Sequence, residues 1–83
     1  MAEKKIGEVT HFFDKIGVAI VKLSAPLKVG DKIKVKGSTT DFDQDVESMQ
    51  VNHANIEEAR AGDEVGIKVA DKAREGDEVF KSE

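Results

Sequence analysis

The sequence predicts an all-β fold: a small closed, mainly antiparallel β-barrel of about six strands, within the usual range for small sheets. Three observations carry this. No segment sustains the apolar periodicity of a helix. Short runs alternate instead, as where Val65, Ile67 and Val69 interleave with Glu64, Gly66 and Lys68, the period-two pattern of a half-buried strand. These runs are separated by Gly-Asp pairs and similar turn formers, the spacing of an all-β sandwich or barrel. At 83 residues the chain reads as one domain, 1–83, burying about 60% of its unfolded surface. Aromatic residues make up only 5%, so the core must be aliphatic, built from Val, Ile, Leu and Ala around four Phe.

In chain order, Met1 to Lys5 is a charged lead-in, and Ile6 to Phe13 is the first strand, with Gly7 marking a bulge. Asp14-Lys15-Ile16-Gly17 turns into a second strand, Val18 to Leu23, and so short a loop implies an antiparallel hairpin. Apart from Lys22 this strand is apolar on both faces, as a central strand would be. Ser24-Ala25-Pro26 ends it, because proline has no N–H for a ladder. Leu27 to Asp31 connects to a third strand, Asp31 to Lys36, with Ile33 and Val35 inward and Lys32, Lys34 and Lys36 outward. Gly37 to Asp45 is polar and reads as a loop anchored by Phe42.

The stretch from Val46 to Val69 organises the rest. Val46, Met49 and Val51 change parity once, implying a β-bulge or a twist into a second sheet. Ile56-Glu57-Glu58-Ala59 is too short for a stable helix and reads as a single turn. Ala61-Gly62-Asp63 supplies the turn before the strand through Val69, with Gly62 at a positive φ. Asp71 to Asp77 is a second charged connector, and Glu78 to Lys81 is the last strand. Gly-Asp precedes a strand at Gly30, Gly62 and Gly76, which reads as repeated turn chemistry. The expected core is Val18, Ile20, Ile33, Val35, Val65, Ile67 and Val69; the opposite parity in the second strand would turn Val18 and Ile20 outward.

Three blocks carry a family resemblance: Leu27-Lys28-Val29-Gly30-Asp31-Lys32-Ile33, Val46-Glu47-Ser48-Met49-Gln50-Val51, and Glu58-Ala59-Arg60-Ala61-Gly62-Asp63-Glu64-Val65-Gly66. Ordered as they are, they resemble domain II of the translational GTPases, the β-barrel of elongation factor Tu and of the selenocysteine-specific elongation factor. The resemblance implies the barrel fold. It also implies a partner face at Gln50, His53, Arg60 and Glu64, beside the surface that receives the aminoacyl end of tRNA in those factors. In elongation factor Tu the position of Gln50 resembles Glu, that of His53 Arg, and that of Glu64 Asn. A carboxylate at Glu64 would favour an amino group there and repel phosphate.

Several chemistries are excluded or disfavoured. A chain without Cys has no disulfide, thiol nucleophile or thiolate metal site, and fits a reducing cytoplasm. No apolar run approaches the roughly 20 residues that span a bilayer, and no signal-peptide pattern opens the chain, so the expectation is a cytoplasmic protein with no membrane partner. The seven glycines do not form the spacing of a phosphate-binding loop, so no nucleotide binding and no GTPase activity are expected. Asp41, Asp43 and Asp45 begin like a calcium loop, but the pattern fails at Val46, where Gly is needed, and at Asn52, where Glu is needed. His11 and His53 are the only imidazoles and make no zinc spacing. No Ser sits in a nucleophile elbow. The expectation is no cofactor, no metal and no enzyme.

Seventeen acidic residues against 13 basic give a net charge of −4, which disfavours nonspecific nucleic-acid binding. A surface rich in Lys and Glu with one Pro resembles the composition of proteins from hot environments. Lys28, Lys32, Lys34 and Lys36 form a local basic stripe with two readings. They would contact RNA phosphates, or keep an edge strand from pairing with another chain. The absence of interleaved aromatics favours the edge role.

The leading expectation is a stand-alone, translation-factor-like binding module that contacts RNA at a tRNA 3′ end, the ribosome or a translation protein. The alternatives are a protein-interaction or structural barrel without an RNA role, and an excised domain of a larger translational GTPase, against which the Met1 start argues. A similar barrel is also appended to some peptidases.

Overall fold

The computed structural model describes residues 3–38, 40–51 and 54–82. The described chain runs through β1 (Glu3–Phe13), β2 (Val18–Leu23), β3 (Leu27–Lys28), β4 (Lys32–Lys36), β5 (Asp41–Asp45), β6 (Met49–Val51), β7 (Ala54–Ile56), β8 (Glu58–Ala59), β9 (Glu64–Lys68) and β10 (Glu78–Ser82). Every described pairing is antiparallel, and eight strands join in the order β5-β4-β10-β1-β2-β9-β6-β7, while β3 and β8 form a separate ribbon. The expected hairpin is β1 with β2, and the first and last strands lie side by side, Glu3 opposite Ser82. β1 shifts register between Lys5 and Gly7, the bulge that Gly7 announced, and again between Val9 and His11.

The sheet curls so that β5 approaches the end of β9, and a side chain joins them. Gln44 Nε2 donates to the Lys68 carbonyl at 2.8 Å, and the Ala70 amide donates to Gln44 Oε1 at 2.6 Å. Six strands therefore run round the barrel, and β6 and β7 extend it alongside β9. The parity change after Val46 is where the chain leaves its pairing with β4 and takes one with β9.

Ile6, Val9, Val21, Leu27, Ile33, Val35, Val46, Met49, Val65, Ile67 and Val79 are each at most 2% exposed and fill the interior. Of the expected core, Ile33, Val35, Val65, Ile67 and Val69 are buried there. Val18 and Ile20 are not: β2 turns Ala19, Val21 and Leu23 inward, leaving Val18 and Ile20 half-buried on the outside. With apolar residues at every position but Lys22, the strand gave no parity signal.

Three turns share one construction. Gly30, Gly62 and Gly76 have φ of 99°, 92° and 89°, the value demanded of the third residue of a type II turn. Asp31, Asp63 and Asp77 each donate their N–H to the carbonyl three residues back, at 3.1 Å. Their carboxylates accept the amides of those same residues, Lys28 at 2.9 Å, Arg60 at 3.0 Å and Arg74 at 2.8 Å. A buried Leu27, Ala59 or Ala73 precedes each turn, and a buried Ile33, Val65 or Val79 follows it. The repeat is thus apolar, basic, any residue, Gly, Asp, charged, β-branched.

Two segments differ from expectation. Residues 37–45 are not all loop, because Asp41–Asp45 is strand β5. Its alternation sets Asp41, Asp43 and Asp45 against Phe42 and Gln44, a period carried by charge rather than hydrophobicity. Residues 56–59 are no helical turn; they close β7 and form β8, which pairs with Leu27 and Lys28. No described helix is long and apolar enough to cross a membrane.

Candidate functional site

Because Val65 and Ile67 point into the core, Gly66 between them lies on the outer face of β9, where it too is buried. A Cβ on Gly66 would lie 3.2 Å from Val18 Cγ1, 3.5 Å from Ile20 Cδ1 and 3.7 Å from the Gln50 carbonyl oxygen. With only hydrogen there, Val18 and Ile20 lean close over the backbone of β9, and an open groove of about 350 Å³ is lined by these residues together with Gln50 of β6. That volume falls within the range of small ligand sites, roughly 300–1,000 Å³. Phe13 at the end of β1 and Ile16 in the β1–β2 turn form one end, and Val51 joins the wall. Glu64, two residues along β9 from Gly66, stands at the other end.

Apart from Gln50 and Glu64, the side chains that line the groove are apolar. Phe13 and Ile16 are 43% and 64% exposed, two of the three exposed large apolar residues among those described. The Phe13 ring lies 4.4 Å from that of His11. The Thr10 hydroxyl is 3.4 Å from Glu64 Oε2 and 3.3 Å from the Ile20 carbonyl, with one proton for the two. Lys22 is opposite Glu64 across the β2–β9 ladder, but no ion pair among the described residues includes either. Elsewhere on β1, the Lys5 ammonium is 3.0 Å from Glu78, whose hydrogen bond and then charge raise its pKa above the ordinary lysine value.

Of the four residues named for a partner face, the fold brings Gln50 and Glu64 to this groove. β6 returns through β7 as a hairpin, Met49 opposite Ile56, and lies beside β9 with Gln50 opposite Gly66. Gln50 Nε2 donates to Asn55 Oδ1 at 3.0 Å. Arg60 is held in the turn before β9 and does not line the groove. His53 lies outside the described residues. Sequence reading missed Phe13, Ile16, Val18, Ile20 and Gly66. The available signal was the two-faced apolar β2, whose outward residues needed something to cover.

The basic stripe is differently placed. β4 is an interior strand between β5 and β10, so its lysines do not guard an edge. Lys32, Lys34 and Lys36 face Asp45, Asp43 and Asp41 across the ladder. Lys32 reaches Asp43 at 3.7 Å, and Lys34 lies 3.9 Å from Glu3 and 4.0 Å from Asp41. The aspartates neutralise the stripe, and β5 is the strand at the sheet's end. Lys28 sits apart in β3, its amide bound to Asp31. Among the described residues no three of His, Cys, Asp and Glu gather closely enough to hold a metal ion.

Comparison with known proteins gives two kinds of relative. An uncharacterised protease of Methanocaldococcus jannaschii is 43% identical over 77 residues, covering 92% of this chain and 19% of that protein. A collagenase of Porphyromonas gingivalis is 31% identical over 78 residues, covering 92% of this chain and 22% of that protein. The chain thus spans about a fifth of the length of the curated relatives it matches. Among solved structures, the C-terminal domain of a Geobacillus thermoleovorans protein assigned to the U32 peptidases superposes with a TM-score of 0.89, covering 96% of this chain and 93% of that one at 20% identity. Its selenomethionine variant gives 0.86. These superpositions share the fold. The family described as Elongation factor Tu domain 2 matches residues 26–79, from the residue before β3 to the second residue of β10, and the chain belongs to that family.

Proposed function

We propose that this barrel is an accessory module of a protease-type protein, performing no catalytic step itself and binding polypeptide through the face that carries Gln50 and Glu64. One observation carries the reading: 43% identity to a Methanocaldococcus jannaschii protease extends over 92% of this chain. The relatives that span the chain bear protease and collagenase names, which favours a peptidase context over a translational one. The exposed Phe13 and Ile16 beside the groove suit a protein ligand better than a phosphate backbone. Neutralised lysines on β4 and a net charge of −4 weigh against RNA.

The test is titration of the isotope-labelled chain with a permanently unfolded polypeptide, reduced and carboxymethylated α-lactalbumin, and separately with a tRNA 3′-end oligonucleotide. Saturable amide shifts with the polypeptide and none with the oligonucleotide are expected. Shifts with the oligonucleotide alone would restore the translation-factor reading.

A further inference from the structure

We infer that the groove over Gly66 receives an extended, unfolded substrate polypeptide carrying an apolar side chain two residues from a lysine or arginine, whose cation pairs with Glu64. The inference rests on the polypeptide-binding reading above and adds the site and the recognised pattern. Its first support is shape. The missing Gly66 side chain lets Val18 and Ile20 settle over β9 on one side with the Gln50 backbone on the other, and these residues line the groove. The open groove they line has the volume for an apolar side chain, with Phe13 and Ile16 exposed at its end to extend the contact.

The second support is charge. Among the described residues Glu64 is the one ionised group lining the groove, and its described partner is half a share of the Thr10 hydroxyl. Lys22 faces it across the ladder without an ion pair, so the carboxylate is available to a cation from outside. The third support is spacing. Gly66 and Glu64 are two residues apart on one face of β9, about 7 Å along a strand. An extended peptide laid along β9 has the same repeat, so an apolar side chain over Gly66 puts residue i+2 or i−2 over Glu64. A partly exposed pair of this kind favours the cation by roughly threefold in affinity.

The experiment titrates the labelled chain with blocked peptides that differ at one position: Ile-Ser-Lys, Ile-Ser-Glu and Ser-Ser-Lys cores flanked by glycine. The expected result is shifts at Val18, Gln50, Glu64 and Gly66, with Ile-Ser-Lys bound about threefold more tightly than Ile-Ser-Glu, and Ser-Ser-Lys weakest. Glu64→Gln should abolish the preference for Lys over Glu while keeping that for Ile over Ser. Gly66→Ala, checked for an unchanged fold by its amide spectrum, should weaken all three peptides. Equal affinity for the Lys and Glu peptides, or shifts centred on β4 and β5, would overturn the inference. If carboxymethylated α-lactalbumin still binds both variants as it binds the native chain, the groove is not the site and the accessory-module reading stands. If it does not bind the native chain, that reading falls as well.

Discussion

Gln44 does for Ala70 what a neighbouring strand would do. Its side-chain amide accepts the Ala70 N–H at 2.6 Å while donating to the Lys68 carbonyl at 2.8 Å, the two bonds that a peptide unit makes in a ladder. The seam between β5 and the end of β9 is therefore closed by one side chain. Replacing it by Ala should cost about 1–2 kcal/mol, since two backbone groups lose their partner and regain only water. Gln44→Glu keeps the acceptor and loses the donor, so it should fall between the two. Urea denaturation with the slope held fixed measures this. A midpoint unchanged in Gln44→Ala would show that the seam holds without it.

Gly62 separates backbone strain from crowding. Its φ is 92°, yet a Cβ there would meet nothing within 4 Å. Gly62→Val should destabilise the domain by roughly 1–3 kcal/mol through the backbone alone. Gly62→Asn should cost less, because Asn tolerates the left-handed region better. Thermal melts of the two variants check the order, and equal melting temperatures would remove the strain argument.

The pairing of Lys32, Lys34 and Lys36 with Asp45, Asp43 and Asp41 makes a prediction about RNA. Changing all three aspartates to Asn should uncover the stripe and produce salt-sensitive binding to single-stranded RNA that the native chain lacks. Fluorescence anisotropy with labelled oligouridine at low and moderate salt would detect it. Equal behaviour of native and variant chains would mean that the lysines are too dispersed to act together.

Binding of GTP with magnesium should be undetectable by calorimetry. The argument is the glycine spacing, which provides no run of backbone amides to cradle phosphates. Micromolar heat would reveal a nucleotide site built in another way.

The fold was legible wherever a residue had one reason to be where it is. Glycine followed by Asp means a turn with a left-handed residue and a carboxylate for a free amide, and all three such turns form. Ile33 and Val35 alternate with lysine, so their inward facing followed at once. β5 was hidden because its inward residues are Phe42 and Gln44, and Gln44 is there for its amide rather than its hydrophobicity. β2 concealed its parity because Val18 and Ile20 are apolar for the groove while Ala19 and Val21 are apolar for the core. At the candidate site, Gln50 and Glu64 came from family resemblance. The groove itself did not, because its floor is a missing side chain, and no sequence pattern separates a strand glycine that makes room from one that merely weakens the strand.

The pairing of Glu3 with Ser82 bears on how this domain is carried. The two ends of the described barrel lie on neighbouring strands, roughly 5 Å apart. A longer polypeptide that included it would leave where it arrived, displaced by one strand spacing, with the whole barrel hanging from that point as a pendant. Such a unit adds almost no length to its host's path and transmits little of its own orientation. Joining residues 3 and 82 by a short loop and opening the chain at the exposed Gly76 turn should therefore give a permuted barrel of the same shape.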